Sequence, residues 1–132
     1  MPLKAFVLED NASIRDSLVE ALYELAGIET AATASNERNA VAWLSDPAHA
    51  WDVAIIDLVL EPRGGSGFGV LRSLKARKPS QKMVVLTGTA SVDVRRQCEK
   101  LGADGVFDKS METDALIDWC IALARDTRGP GE

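Results

Sequence analysis

The sequence predicts an α/β fold, a (βα)5 doubly wound five-stranded parallel sheet, on three observations. Short apolar runs alternate with helical patterns along all 132 residues, which gives a parallel sheet with right-handed crossovers and helices on both faces. Five such units are too few to close an eight-stranded barrel. One run, "DVAIIDLVL" at 52–60, is apolar almost throughout, as a strand covered on both faces should be. The simplest strand order is 2-1-3-4-5, the flavodoxin-like one.

The elements follow in order. "KAFVLED" (4–10) is short, apolar and ends in acids, so it is the first strand. Residues 13–27 place Ile14, Leu18, Leu22 and Leu25 on one stripe and close on Gly27, an amphipathic helix with a glycine stop. "IETAATA" (28–34) is a weak strand. Ser35 caps a second helix, 36–45, which turns Val41 and Leu44 inward and stops before Pro47. After the central strand at 52–60, a third helix runs from Gly67 to Arg77 and ends at Pro79. "KMVVLTG" (82–88) is the fourth strand, and Ser91 caps a helix at 92–101 that carries Val94, Cys98 and Leu101 and is closed by Gly102. "DGVFDK" (104–109) is the fifth strand. The last helix, 112–126, buries Leu116, Cys120 and Leu123, so the domain is expected over 1–126 with a disordered tail at 127–132.

With 46% hydrophobic and 27% charged residues the chain reads as one ordinary globular domain. A net charge of −5 argues against nucleic acid or an anionic membrane as partner. No apolar run is long enough to span a bilayer, and the N-terminus lacks the pattern of a signal peptide, so the expected location is the cytoplasm. Cys98 and Cys120 read as reduced core thiols. With His49, taken as a surface loop residue, they fall short of the ligands a structural zinc needs.

In such a sheet, ligands bind beyond the carboxyl ends of the strands, where strands 1 and 3 part. Strand 1 ends in Glu9 and Asp10, strand 3 delivers Asp57, strand 4 ends in Thr87 and strand 5 in Lys109. Three crowded carboxylates repel one another unless a cation lies among them. Such a hard oxygen set suits Mg²⁺. Lys109 adds a point charge and Thr87 a hydroxyl. Together these groups stabilise a transferring phosphoryl group, and the central carboxylate, Asp57, is the best placed to accept one as an aspartyl phosphate.

These motifs as a set, "ED" after strand 1, "AIIDL", "VVLTG" and "GADGVFDKS", resemble the receiver domain of two-component response regulators over residues 3 to 125. The resemblance implies a signalling phosphoacceptor rather than an enzyme, of the stand-alone type. Asp57 would take its phosphoryl group from a histidine kinase or histidine phosphotransfer protein. Glu9, Asp10, Asp57 and the main-chain carbonyl of Val59 would hold Mg²⁺ or Mn²⁺. Lys109 and Thr87 would bind the phosphoryl group, and Thr87 would move as the switch. The output would be contact with an unknown downstream protein or onward phosphotransfer, by a monomer or weak homodimer that uses the face of helix 4, strand 5 and helix 5. Exposed residues around Asp93, Arg95, Arg96 and Asp104 belong to that face.

Three departures accompany the resemblance. Ser110 stands where the family carries a cis proline. A cis bond before a non-proline costs about 2.5–4 kcal/mol, so the turn is expected to be trans or reshaped. Val106 holds the place of the switch aromatic, and Phe107, the candidate in its stead, faces the other side of the strand. "LEPRGGSGFGVL" (60–71) is about two residues longer than its counterpart and contains Gly64, Gly65, Gly67 and Gly69. It has neither a Walker pattern nor G-x-G-x-x-G and reads as a flexible rim beside Asp57. The alternatives are a degenerate receiver acting as a scaffold and a Mg²⁺-dependent aspartyl-phosphate hydrolase. The hydrolase would want a second aspartate two residues after the first, where Val59 stands. A flavin or nucleotide binder would want a phosphate loop in place of "EDNAS".

Overall fold

Ten elements alternate along the chain in the computed structural model, which describes residues 2–61 and 63–128. They are β1 (Lys4–Leu8), α1 (Ala12–Ala26), β2 (Glu29–Ala34), α2 (Glu37–Leu44), β3 (Val53–Ile56), α3 (Gly67–Ser73), β4 (Lys82–Thr87), α4 (Val92–Lys100), β5 (Gly105–Asp108) and α5 (Thr113–Arg128). All strand pairs are parallel and the order is β2-β1-β3-β4-β5, as the alternating pattern requires.

Side chains alternate across the sheet and build two cores. Phe6, Ile56, Val85 and Met83 point to the layer with α2, α3 and α4. Val7, Ile55, Val84 and Leu86 point to the layer of α1 and α5, where Leu22, Leu116 and Cys120 are buried. β3 is buried at every position because it has a helical layer on each face. β2 is an edge strand and alternates half-buried alanines with exposed threonine and alanine positions. Among the described residues, no helix is long and apolar enough to cross a membrane.

Several local expectations change. α1 buries Leu18, Leu22 and Ala26, whereas Leu25 is 63% exposed and Ile14 lies on the rim; the buried stripe advances by fours and leaves Leu25 outside it. Gly27 does close the helix, at φ 66°. Asn36, not Ser35, caps α2, its Oδ1 accepting from the Asn39 N–H at 2.8 Å. Ala40 and Leu44 are buried, and Val41 is only partly so. Ser91 caps α4 as expected, accepting from the Val94 N–H at 3.2 Å.

α3 stops at Ser73, four residues short of Arg77. The Arg77 guanidinium turns instead to the carbonyls of Gln81 (2.6 Å) and Gly102 (2.8 Å) and to Asp104 (2.8 Å), pinning together the linkers that lead into β4 and β5. His49 is half-buried rather than a free surface residue. Its ring stacks on Trp43 at 4.4 Å and its Nδ1 lies 2.9 Å from the Trp43 carbonyl. α5 continues to Arg128, two residues past the expected domain end, and 129–132 lie outside the described residues.

Candidate functional site

Four strands finish side by side, and backbone bonds carry the alignment past their ends. Glu9 N–H donates to the Ala34 carbonyl at 3.0 Å, Asp57 N–H to Leu8 at 3.1 Å and Lys109 N–H to Thr87 at 2.9 Å. This ladder brings Glu9, Asp10, Asp57, Thr87 and Lys109 together. They line, with Val59, a cleft of about 420 Å³.

Carboxylate oxygens of Glu9, Asp10 and Asp57 lie within 4.8 Å of one another. Lys109 Nζ sits 2.6 Å from Glu9 Oε1 and 3.0 Å from Asp57 Oδ2. Glu9 is 2% exposed and Asp57 4% exposed, so two carboxylates are largely removed from water beside one ammonium. Burial pushes the Glu9 carboxyl up and the Asp57 charge adds to this. The Lys109 ammonium and the Asn11 N–H at 3.0 Å offset part of the rise. Burial would lower Lys109, but its bonds to Glu9 and Asp57 outweigh that and hold it above its ordinary value. For Asp10, burial is the largest single influence and raises the carboxyl, but the Glu61 N–H, which donates to Oδ2 at 2.8 Å, together with the Glu9 side chain, its own backbone N–H and the Lys109 charge outweighs it and holds the carboxyl below its ordinary value. Hard oxygen donors in so tight a set fit a small divalent cation.

The Thr87 side chain is fully buried. Its hydroxyl lies 3.1 Å from that of Thr89 and accepts the Thr89 N–H at 3.3 Å. Phe107 is not brought to it. Phe107 packs in the α1 and α5 layer, while Val106 packs in the opposite one. The turn after Lys109 is built around Asp108, whose Oδ1 accepts from the Ser110 N–H at 2.8 Å and the Met111 N–H at 3.1 Å.

Some residues of the site region escaped the sequence reading. Arg95, expected on an exposed face, is half-buried in a three-way junction. Its guanidinium donates to the carbonyls of Ala90 (3.1 Å) and Val106 (2.9 Å) and to Glu112 (2.5 Å). Glu61 reaches Asp10 by a backbone N–H across 51 positions of sequence, and a backbone donor leaves no trace in residue type. The glycine loop makes defined contacts. It packs on Glu37 at the start of α2, where the Ser66 N–H donates to Glu37 Oε1 at 2.8 Å.

The comparisons with known proteins agree with this geometry. The family model described as the response regulator receiver domain matches residues 5–120. The photosynthetic apparatus regulatory protein RegA of Cereibacter sphaeroides is 25% identical over 126 residues, covering 96% of this chain and 65% of that protein. The chain spans between 29% and 65% of the length of the first curated relatives it matches. The phosphorylated cyanobacterial phytochrome response regulator RcpA has the same fold, with a TM-score of 0.75 at 24% identity over 96% of each chain. A response regulator from Burkholderia pseudomallei, solved with a phosphorylated aspartic acid and a calcium ion, is 25% identical with a TM-score of 0.76, over 96% of this chain and 71% of that one. The strand order, the acidic cluster and the family match therefore agree: this chain belongs to the receiver domains of two-component response regulators.

Proposed function

We propose that Asp57 is the phosphoacceptor and that its donor is a phosphohistidine on a histidine kinase or histidine phosphotransfer protein. In the transfer, an Asp57 carboxylate oxygen forms a bond to phosphorus. The phosphorus–nitrogen bond of the donor breaks, its electron pair stays on the departing imidazole nitrogen, and that ring takes up a proton from solvent. The observation that carries this reading is the placement of Asp57 at the end of the central strand, 3.0 Å from Lys109 and clustered with two further carboxylates. The Burkholderia pseudomallei relative, solved with a phosphorylated aspartic acid, supports it.

Each residue then has a task. Lys109 is an ammonium that can follow Asp57 oxygen charge onto a phosphoryl oxygen. A divalent cation, Mg²⁺ or Mn²⁺, held by Glu9, Asp10, Asp57 and the Val59 carbonyl, would neutralise the charge gathering on the phosphoryl oxygens. The Thr87 hydroxyl, now shared with Thr89, is the donor free to turn toward the phosphoryl group. Thr89 adjoins Ala90, whose carbonyl Arg95 holds, so a change at Thr87 reaches the α4–β5–α5 face through Arg95 and Glu112. This junction, rather than Phe107, carries the coupling. The output is contact between that face and a downstream protein, and phosphodonors of this class place the domain in the cytoplasm.

The test is to incubate the protein with Mg²⁺ and acetyl phosphate and weigh it intact. The expected product is an acid-stable, base-labile gain of about 80 Da, one phosphoryl group on a carboxylate, absent in Asp57→Asn. No gain in the natural sequence, or an equal gain in Asp57→Asn, overturns the assignment.

A further inference from the structure

Four glycines in six residues suggest a cradle for an anion, and two of them, Gly65 and Gly69, close on one. Gly65 has φ +82°, and a side-chain carbon there would lie 2.6 Å from Glu37 Oε1. A side-chain carbon on Gly69 would overlap the same carboxylate, 2.2 Å from its Oε2. Glu37 Oε1 accepts the Ser66 N–H at 2.8 Å, and the Glu37 N–H donates to the Gly64 carbonyl at 2.6 Å. The cradled group is a carboxylate of the chain itself, at the first residue of α2.

What this clasp holds is the loop that borders the acidic cluster. Its neck is closed by Gly67 N–H on the Leu58 carbonyl at 3.1 Å and by the pairing of Val59 with Ser66. Gly67 runs so close to the Asp57 carbonyl that no side-chain carbon fits between them. Between neck and tip lies Val59, which lines the cleft. Near the tip, the Glu61 N–H holds Asp10 Oδ2 at 2.8 Å. A continuous run of bonds thus leads from Glu37 through Gly64 and Ser66 to Val59, Glu61 and Asp10.

We propose that Glu37 is a positioning residue for the cation-binding side of the site. It does not touch the cleft. It fixes the glycine loop against α2, so that Val59 and the Glu61 N–H, and through it the Asp10 carboxylate, are held in place before a divalent cation arrives. Outer groups that orient ligands typically change metal affinity by about 10–100-fold when removed. The proposal rests on the reading of Glu9, Asp10 and Asp57 as cation ligands.

The experiment measures Mg²⁺ and Mn²⁺ affinity of the full chain by calorimetry, with no phosphodonor present. Glu37→Ala should weaken binding about 10-fold or more. Glu37→Gln, which keeps an oxygen for the Ser66 N–H, should stay within about 3-fold of the natural sequence, since it preserves that hydrogen bond. Gly69→Ala should weaken binding in the natural background and add little to Glu37→Ala, because both open the same clasp. Unchanged affinity in Glu37→Ala, equal losses in Glu37→Ala and Glu37→Gln, or fully additive losses in the double variant each overturn the clasp. If Glu37→Ala does not fold, the Glu37→Gln and Gly69→Ala pair decides, since an unaltered affinity in Gly69→Ala overturns it alone. A natural sequence that binds neither ion overturns the ligand reading as well, whereas normal binding with an indifferent Glu37 removes the clasp only.

Discussion

Nζ of Lys109 lies 3.0 Å from Oδ2 of Asp57, joining the ends of β5 and β3 across the intervening β4. The same ammonium reaches Glu9 at 2.6 Å, so one positive charge serves two buried carboxylates. Lys109→Ala leaves Glu9 and Asp57 facing each other with no cation. In metal-free buffer at neutral pH it should lower stability by about 1–3 kcal/mol, the cost of buried groups left unpaired, and added Mg²⁺ should narrow the gap. Thermal unfolding of both proteins with and without Mg²⁺ checks this. An unchanged midpoint in metal-free buffer would mean that the bonds to Lys109 do not hold the site together.

Arg95 and Glu112 give a pH signature. The Arg95 guanidinium and the Asp108 N–H hold the Glu112 carboxyl below its ordinary value of 4.5. A lowered folded-state value means that the pair's contribution is present above that pH and is lost as pH falls through the folded value. Glu112→Gln should therefore melt below the natural protein at neutral pH, and the two midpoints should converge as pH falls through the lowered folded-state value, below which the carboxylate is protonated in both states. A gap of constant size across that range would count against the ion pair.

The two cysteines should be nearly inert. Cys98 and Cys120 are fully buried, and burial pushes the Cys120 thiol up to about 12. Since the thiolate is the reacting form, Ellman's reagent at mild alkaline pH should label neither quickly in the native protein and both in urea. Fast labelling of Cys120 in native buffer would contradict the packing of α5 on the sheet.

Glycine positions next to the site differ sharply in what they tolerate. Gly67→Ala forces a methyl into the Asp57 carbonyl and should destabilise by about 1–3 kcal/mol, as overpacking does. A side-chain carbon on Gly88 meets nothing within 4 Å, so Gly88→Ala should change stability by less than about 0.5 kcal/mol. Urea denaturation of the two variants distinguishes them, and equal costs would show that α3 does not press on the end of β3.

The strand order and the meeting of Glu9, Asp10, Asp57, Thr87 and Lys109 were legible because they follow from topology. In a doubly wound sheet the residue type at each strand end decides what converges. Less was legible where contacts depend on distance in sequence or on backbone groups. Asn36 displaced Ser35 as the α2 cap by one position, which residue preference alone does not resolve. Arg77 left α3 to bind linkers 25 and 27 residues away. Glu37 is an acid in a first helical turn, which in sequence carries no sign of the glycines that the packed structure sets against it. Arg95 read as surface because a single exposed-looking position on α4 carries no sign of the carbonyls that it meets.

The central claim is that the phosphoryl group resides on Asp57. Mapping it decides most directly: phosphorylate the protein with a phosphohistidine donor in Mg²⁺, trap the acyl phosphate by borohydride reduction, and sequence the labelled peptide by mass spectrometry. The account predicts a single reduced aspartate, at Asp57, which is lost when Mg²⁺ is chelated before the donor is added. A label on any other residue, or none under conditions in which the donor is active, would contradict it.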